Sequence, residues 1–364
     1  MAATEDFMPD PPIRCRSYKI GAIGAGFIMA DVQLASYQEA GFPVVAIASR
    51  TPSHAAEVAK RWGIGTVHAT PEALLEDPAV EIADIAFPPD QQPALLRHAY
   101  RQKHIKGILA QKPLALDFAT ARAVLAEAEA SGKVLSVNQN MRFDQSMRVL
   151  KQILDRGLIG PPVIATIDMR AIPHWQPFLA AYNRLTLLNM SVHHLDVLRF
   201  LFGDPVDIFT AARPDPRTSF AHSDGICAST LRFPSGVLAV SLEDVWSGPR
   251  AEHFDSDIYI RWRVEGTTGL AQGTIGWPDY PKGSPSTLRY CSEATAGTWV
   301  APSWTTRWFP QAFKGVMEQL QYALESGTEP LLSGADNVRT MALVEAAYRS
   351  LAERRAVPLS EFSI

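Results

Sequence analysis

Residues 17–30, SYKIGAIGAGFIMA, hold the feature that most limits what this chain can fold into. A strand pattern at 18–23 runs straight into Gly24-Ala25-Gly26, and helical spacing begins at Phe27 and continues to residue 40. A strand that meets a helix through Gly-x-Gly makes a phosphate site. The first glycine permits the tight turn, the second lets the backbone approach a pyrophosphate, and the helix N-terminus offers unpaired N–H groups. Gly24, Gly26, Phe27 and Ile28 are therefore candidate nucleotide contacts. Met29 stands where a dinucleotide fingerprint wants a small third residue, and Ala30 comes one place late. That small residue serves helix–strand packing, so Met29 costs proximity rather than phosphate binding.

The alternation of strands and helices beyond residue 40 gives the turn its weight. Short apolar runs at 44–48, 66–68, 82–87, 105–110 and 134–138 read as parallel strands covered on both faces. Helical stretches at 51–62, 71–75, 93–101 and 118–130 alternate with them. This predicts a doubly wound, mostly parallel Rossmann sheet over 17–140. Past about residue 145 the texture changes. After a helix at 144–157, strand-like segments crowd together at 162–170, 206–212, 225–232, 236–243, 257–264, 268–273 and 287–291, separated by turns such as Phe233-Pro234-Ser235-Gly236. A helix at 192–202 interrupts them, and 309–326 and 334–353 are helical again. The expected fold class is α/β: a Rossmann domain, then an α+β domain at 141–364 with a large open, mostly antiparallel sheet. Residues 1–16, with three prolines and mixed charge, read as a surface arm able to reach a partner subunit.

Charge and cysteine content exclude several classes. A net charge of -4 gives no basic field for nucleic acid or an anionic membrane. No apolar run is long enough to span a bilayer. Cys15, Cys227 and Cys291 have no metal-site spacing and an odd count, which fits reduced thiols in a cytoplasmic protein.

The end of the second strand selects the nucleotide. An acidic residue there would hold the ribose hydroxyls; this chain has Ser49, then Arg50 and Thr51. No carboxylate repels a 2′-phosphate and a guanidinium can pair with it, which favours NADP over NAD. NAD, with Arg50 stacked on adenine or solvated, is the alternative.

The fifth strand leads into Leu109-Ala110-Gln111-Lys112-Pro113-Leu114-Ala115. With the glycine turn and the two-domain layout, this resembles the glucose–fructose oxidoreductase / inositol dehydrogenase / MocA family, which carries Glu-Lys-Pro here, often with a cis peptide before the proline. The resemblance extends over about residues 17–355. Asn138-Gln139-Asn140-Met141-Arg142-Phe143-Asp144 resembles the family's crossover into the second domain, and Ser191-Val192-His193-His194-Leu195-Asp196 its Asp-x-x-x-His motif, with the histidine at His193. Gln319 to Tyr348 resembles its C-terminal helices. The resemblance implies an oxidoreductase of sugars, polyols or cyclitols using NAD or NADP, assembled as a homodimer or homotetramer on the open sheet of the second domain. It adds Pro88, Gln92, Gln111, Lys112 and Asn140 to the cofactor-binding candidates. Three departures stand out. Gln111 replaces the glutamate of Glu-Lys-Pro, Asn189 the aspartate of Asp-x-x-x-His, and Gln92 a frequent histidine. Two of them remove a carboxylate, which makes Lys112 and His193 easier to deprotonate.

Oxidising a secondary alcohol needs a hydride acceptor and a group that takes the hydroxyl proton. His193 has a side-chain pKa in range and is the expected acid/base, with adjacent His194 as its rival and packed behind. Lys112 would hydrogen-bond the reacting oxygen, or serve as the base if burial lowers its pKa. Arg142 and Asn189 are expected substrate contacts, with an ion pair between Arg142 and Asp144 as the other reading of Arg142. His174 and Trp175 end the first strand of the second domain, where a tryptophan suits a sugar ring. Metal catalysis is not expected: His174, His193, His194 and Asp196 are the right ligand types, but His193 and His194 are neighbours and point about 100° apart on a helix. Most of the tryptophans fall in second-domain strand segments and read as packing. Two other classes share these features: a redox-neutral glycoside hydrolase or lyase using NAD transiently, and a nucleotide-binding sensor without turnover.

Overall fold

The computed structural model describes residues 6–171, 176–245, 258–276 and 284–363. These pack as two units. The first contains Pro11–Asn140 and Pro310–Met341, the second Met141–Phe309 with Met1–Asp10 and Ala342–Ser363.

The N-terminal part of the first unit alternates as its apolar runs dictate. It runs β1 (Ile20–Ile23), α1 (Leu34–Ala40), β2 (Val44–Ala48), α2 (Pro52–Trp62), β3 (Thr66–Val67), α3 (Pro71–Leu75), β4 (Ile82–Ile85), α4 (Gln92–Tyr100), β5 (Gly107–Ala110), α5 (Phe118–Ser131) and β6 (Val134–Val137). The strands form one parallel sheet in the order β3-β2-β1-β4-β5-β6. Order reverses between β1 and β4, and a doubly wound sheet holds its ligand at the carboxyl ends of the strands beside such a switch. Local chemistry sets the helix ends. Pro52 opens α2, the Asp117 carboxylate accepts from Thr120 N–H at 2.8 Å to start α5, and left-handed Gly132 ends it.

Where Met29 takes the third fingerprint place, the helix does not begin as α. Residues Ile28–Gln33 form a π-helical turn before α1, with Met29 fully buried. The wider turn accommodates a side chain that a tight α start against β1 would not. Behind it, Asp84 of β4 is buried and accepts from the Tyr37 hydroxyl at 2.7 Å and the Gln33 amide at 2.8 Å. Burial pushes the Asp84 carboxyl up to about 7.

The second unit begins with α6 (Gln145–Asp155), β7 (Pro162–Arg170) and α7 (Val192–Phe202). It continues with β8 (Asp207–Arg213), β9 (Ile226–Arg232), β10 (Leu238–Asp244), β11 (Tyr259–Gly266), β12 (Gly269–Ile275) and β13 (Thr287–Ser292). Helices α8 (Phe313–Ser326) and α9 (Gly334–Glu353) follow, and β14 (Val357–Pro358) ends the order. The eight-stranded sheet runs β13-β12-β11-β7-β10-β9-β8-β14, antiparallel except for the β7–β10 pair. Its strands alternate buried and open residues, as in Cys227, Ser229 and Leu231 against Ala228, Thr230 and Arg232. α6 packs on β12 and β13, and α7 on β10. The other face is open and carries Phe209 and Leu238.

Helix α8 belongs to the first unit. It packs on β5, β6 and α1, and a Cβ on Gly107 of β5 would meet Leu324 at 2.8 Å, so glycine sets how closely α8 lies on the sheet. The domain limit expected at residue 141 is thus one of several crossings, because the stretch 310–341 returns to the N-terminal sheet. The described part of the N-terminal arm runs along its own chain. Asp10 accepts from the Gln145 amide at 2.8 Å and the Thr306 hydroxyl at 2.6 Å, and Arg14 pairs with Glu318 at 2.8 Å. No helix among the described residues is long and apolar enough to cross a membrane.

Candidate active site

The candidate residues fall into two groups, one in each unit. In the first unit they all follow the carboxyl ends of the parallel strands. Gly24 ends β1 with φ +119°, and a Cβ there would strike Ala86 O at 2.7 Å, so only glycine makes this turn. A Cβ on Gly26 would meet nothing within 4 Å, and Phe27 is 48% exposed. The space over the turn is open, as a pyrophosphate needs, and the residues present fit a dinucleotide there.

At the end of β2 the Ser49 hydroxyl is spent locally, donating to Thr51 O at 2.6 Å and accepting from Thr51 N–H at 3.2 Å. It shapes the loop and presents no acid. Arg50 and Thr51 are exposed. Arg50 donates to Gln91 Oε1 at 3.0 Å and lies 5.6 Å from the Phe87 ring, so the guanidinium is already anchored at the rim. Half-buried Pro88 follows β4, and its carbonyl accepts from Gln91 and Gln92 N–H to start α4.

Gln92 corrects an expectation. It is fully buried, and its amide is committed to the backbone of Gln111, Pro113 and Leu114 rather than held out to a cofactor. Beyond β5, Gln111 is half-buried, with its Oε1 accepting from Lys112 N–H at 3.1 Å. The Lys112-Pro113 peptide is cis. Lys112 is half-buried, and desolvation pushes its ammonium down to about 7. Asn140 beyond β6 is buried, its amide donating to Asn138 O at 3.2 Å.

In the second unit, Asn189 and His193 lie on one helix. Leu187–Ser191 is a π-helical turn that continues into α7. The four-residue spacing puts both side chains on one face. Its start is held by Asp224, a buried carboxylate between β8 and β9. Asp224 accepts from Leu185 N–H at 3.0 Å, Leu187 N–H at 2.8 Å, the Ser223 hydroxyl at 2.9 Å and the Tyr348 hydroxyl at 2.8 Å. Burial nevertheless pushes its carboxyl up.

His193 is 5% exposed and meets Trp308 edge-on at 6.1 Å. His194 is sealed on the sheet side, its Nδ1 2.8 Å from Glu243 Oε1 of β10 and 3.3 Å from Ser241 Oγ. Of the adjacent pair, His194 is therefore the packed one.

Arg142 makes the ion pair that was its other reading, with a different partner. It forks onto Asp196 through two bonds of 2.6 Å, both residues buried, and does not pair with Asp144. Asp144 caps α6 instead, accepting from Ser146 N–H at 2.9 Å and from the Ser286 hydroxyl. Burial pushes its carboxyl up to about 6. Asp196 follows His193 by three residues on α7, so the Arg142 fork fixes the helix that carries His193 and is not held out to a substrate. His174 and Trp175 lie outside the described residues.

Sequence reasoning missed Asp224, and weighed Asp196 only as a metal ligand and Trp308 only as packing. Asp196 had a readable signal, an acid three residues after a candidate histidine on the same helix. Asp224 and Trp308 had none, because each reaches its partners only through the folded chain. Chemically, the first unit offers an anion-binding turn and an amine whose charged form desolvation disfavours. The second offers a positioned imidazole beside an amide.

Comparison with known proteins fits this geometry. Residues 18–139 match the family profile described as an oxidoreductase family with an NAD-binding Rossmann fold, and residues 147–272 match the GFO/IDH/MocA C-terminal domain. D-apiose dehydrogenase of Rhizobium rhizogenes is 28% identical over 93% of this chain and 96% of its own. Myo-inositol 2-dehydrogenase of Thermotoga maritima is 25% identical over 84% and 87%. An oxidoreductase from Agrobacterium radiobacter, solved with NAD+, L-tartaric acid and magnesium, superimposes with a TM-score of 0.80 at 25% identity, covering 94% of this chain and 99% of that one. With both profiles matched in order on the sheets described above, this chain belongs to the GFO/IDH/MocA family of oxidoreductases.

Proposed function

We propose that this protein moves hydride between a nicotinamide and a secondary alcohol or ketone of a sugar, cyclitol or glycoside, with NADP preferred over NAD. The observation that carries the reading is the placement of Lys112 just beyond β5, at the same carboxyl edge of the sheet as the open glycine turn, where desolvation pushes its ammonium down. An amine poised there can donate a hydrogen bond to a reacting oxygen when charged and accept a proton at Nζ when neutral. Relatives named for apiose, myo-inositol and 1,5-anhydro-D-fructose support a carbohydrate-like substrate.

Gly24, Gly26, Phe27 and Ile28 would hold the pyrophosphate and Arg50 with Thr51 the 2′-phosphate, while Pro88, Gln111 and Asn140 line the remaining strand ends. When bound, the nicotinamide supplies the hydride acceptor or donor. The chain's own part is proton handling and orientation. Lys112 Nζ stabilises the developing alkoxide. A ring nitrogen of His193 takes or returns the hydroxyl proton, and Asn189 orients a substrate hydroxyl. Arg142, through Asp196, keeps that helix in place. Asn189 and Gln111 stand where the family carries carboxylates, and each keeps an amide of similar shape while adding no charge at its position.

We also infer a homodimer or homotetramer, with a second copy covering the open sheet face that exposes Phe209 and Leu238. The activity is tested by adding NADP+ or NAD+ and a panel of sugars, sugar acids, inositols and glycosides, following reduced-nicotinamide absorbance. Reduction with one substrate class supports the reading; a flat trace with every member contradicts it. In the same assay Arg50→Ala raises the Kd for NADP+ by about tenfold or more and leaves that for NAD+ within about threefold. Equal loss would remove the 2′-phosphate role.

A further inference from the structure

The stretch from Gln111 to Leu114 carries Lys112 but contains no helix or strand of its own. Its backbone must find partners elsewhere. A single side chain, Gln92 at the first turn of α4, supplies several of them. Gln92 Oε1 accepts from Gln111 N–H at 2.7 Å. Gln92 Nε2 donates to Gln111 O at 2.8 Å, Leu114 O at 3.1 Å and, more weakly, Pro113 O at 3.4 Å. The amide thus grips the chain on both sides of Lys112 and is itself fully buried.

We propose that Gln92 is a positioning residue for catalysis, whose amide fixes the 111–114 turn and so aims Lys112. The assignment follows from hydrogen-bond inventory. Only a group that donates and accepts at once can satisfy an N–H and the carbonyls together. A carboxylate accepts only, and a neutral imidazole offers one donor and one acceptor. Glutamate at 92 would therefore leave buried carbonyls facing a charge, whereas histidine keeps the clasp in reduced form. The amide also does not titrate, so the grip is the same at every working pH.

This rests on Lys112 being the group that meets the substrate oxygen, and the test separates the two claims. Full-length Gln92→Glu, Gln92→Ala, Gln92→His and Lys112→Ala are compared with the unmodified enzyme. Measured are kcat per folded protein, substrate KM, nucleotide Kd and the primary deuterium isotope effect on kcat. With the turn loosened, kcat falls about ten- to hundredfold in the Glu and Ala variants, as small misplacements of reacting groups do. The isotope effect rises as the chemical step becomes limiting, nucleotide Kd stays within about threefold, and His restores most of kcat. Should Glu and Ala prove too unstable to purify, Gln92→Asn, which keeps the amide and shortens its reach, decides: a raised isotope effect with unchanged nucleotide Kd supports the role, and an unchanged isotope effect overturns it. Unchanged kcat and isotope effect in the Glu and Ala variants, with Lys112→Ala inactive, also overturns it. Normal turnover by Lys112→Ala would overturn the catalytic reading of Lys112 first, and this proposal with it.

Discussion

Two desolvated ionisable groups in the first unit show opposite use of the same physics. Lys112 is pushed down to about 7 by desolvation, so the charged amine that donates to the reacting oxygen thins out through neutral pH. With His193 as the proton acceptor, loss of that donor should make kcat/KM for alcohol oxidation fall as pH rises through that range. Lys112→Arg, charged at every pH, should lose the fall, and a pH profile of kcat/KM checks it. Lys112→Ala and His193→Ala should each lower turnover by about 100-fold or more with nucleotide affinity largely kept, measured by steady-state kinetics and binding titration.

Asp84 is pushed up to about 7 by burial and has no place in the chemistry. Between the unfolded carboxylate range and about 7, the folded chain holds a proton that the unfolded chain has released. Stability therefore falls as pH rises across that window and levels off above it. Gln33 Oε1 is buried without a partner, so the Gln33 amide can rotate to accept from the amide of an asparagine at position 84. Asp84→Asn should raise the Tm at pH 8 by several degrees and change it little near pH 4. Thermal melts across that range check the sign.

At the scale of elements, one helix carries both candidate groups of the second unit, and two buried carboxylates hold it. Asp224 grips the start of the turn leading to Asn189 and His193, and Asp196 grips Arg142 from the middle of α7. Asp224→Ala strands two N–H groups and the Tyr348 hydroxyl, which costs about 2–4 kcal/mol in denaturant melts. It also lowers kcat, because Asn189 and His193 ride on that helix.

Strand patterns were legible wherever one face is buried and the other open, so 162–170 and 225–232 read within a residue of their observed positions. The π-helical turns at Ile28–Gln33 and Leu187–Ser191 were not legible, because an added residue per turn keeps the same apolar composition. Strand β14 is two residues long and exists only through its pairing with β8, so it leaves no periodic signal. The glycine turn, Lys112 and His193 could be picked out because their residue types and spacing carry the chemistry themselves. Gln92 was picked out for a different role, because its partners are backbone carbonyls about twenty residues on.

At the scale of the molecule, the chain crosses between units several times. Helix α8 returns to the sheet that the first 140 residues build, close over Gly107. Nothing local in 310–341 announces that return, since an amphipathic helix records that it has a buried face and not which sheet buries it. The open face of the eight-stranded sheet is the matching question for assembly. Phe209→Asp, which sets a charge on that face without touching either candidate group, should shift the protein toward monomer in sedimentation and leave the isolated chain's nucleotide affinity within about threefold.

The central claim, net hydride transfer from a carbohydrate-like alcohol, is tested most directly by isotope. The protein is incubated with NADP+ and polyols or sugars deuterated at the carbinol carbon, and both nucleotide and carbohydrate are recovered. Deuterium is expected in the reduced nicotinamide, one equivalent for each ketone formed. A cleaved glycoside with no reduced nucleotide would contradict it in favour of redox-neutral bond breaking, and bound nucleotide with no label transfer from any substrate would contradict it in favour of a protein that senses rather than turns over.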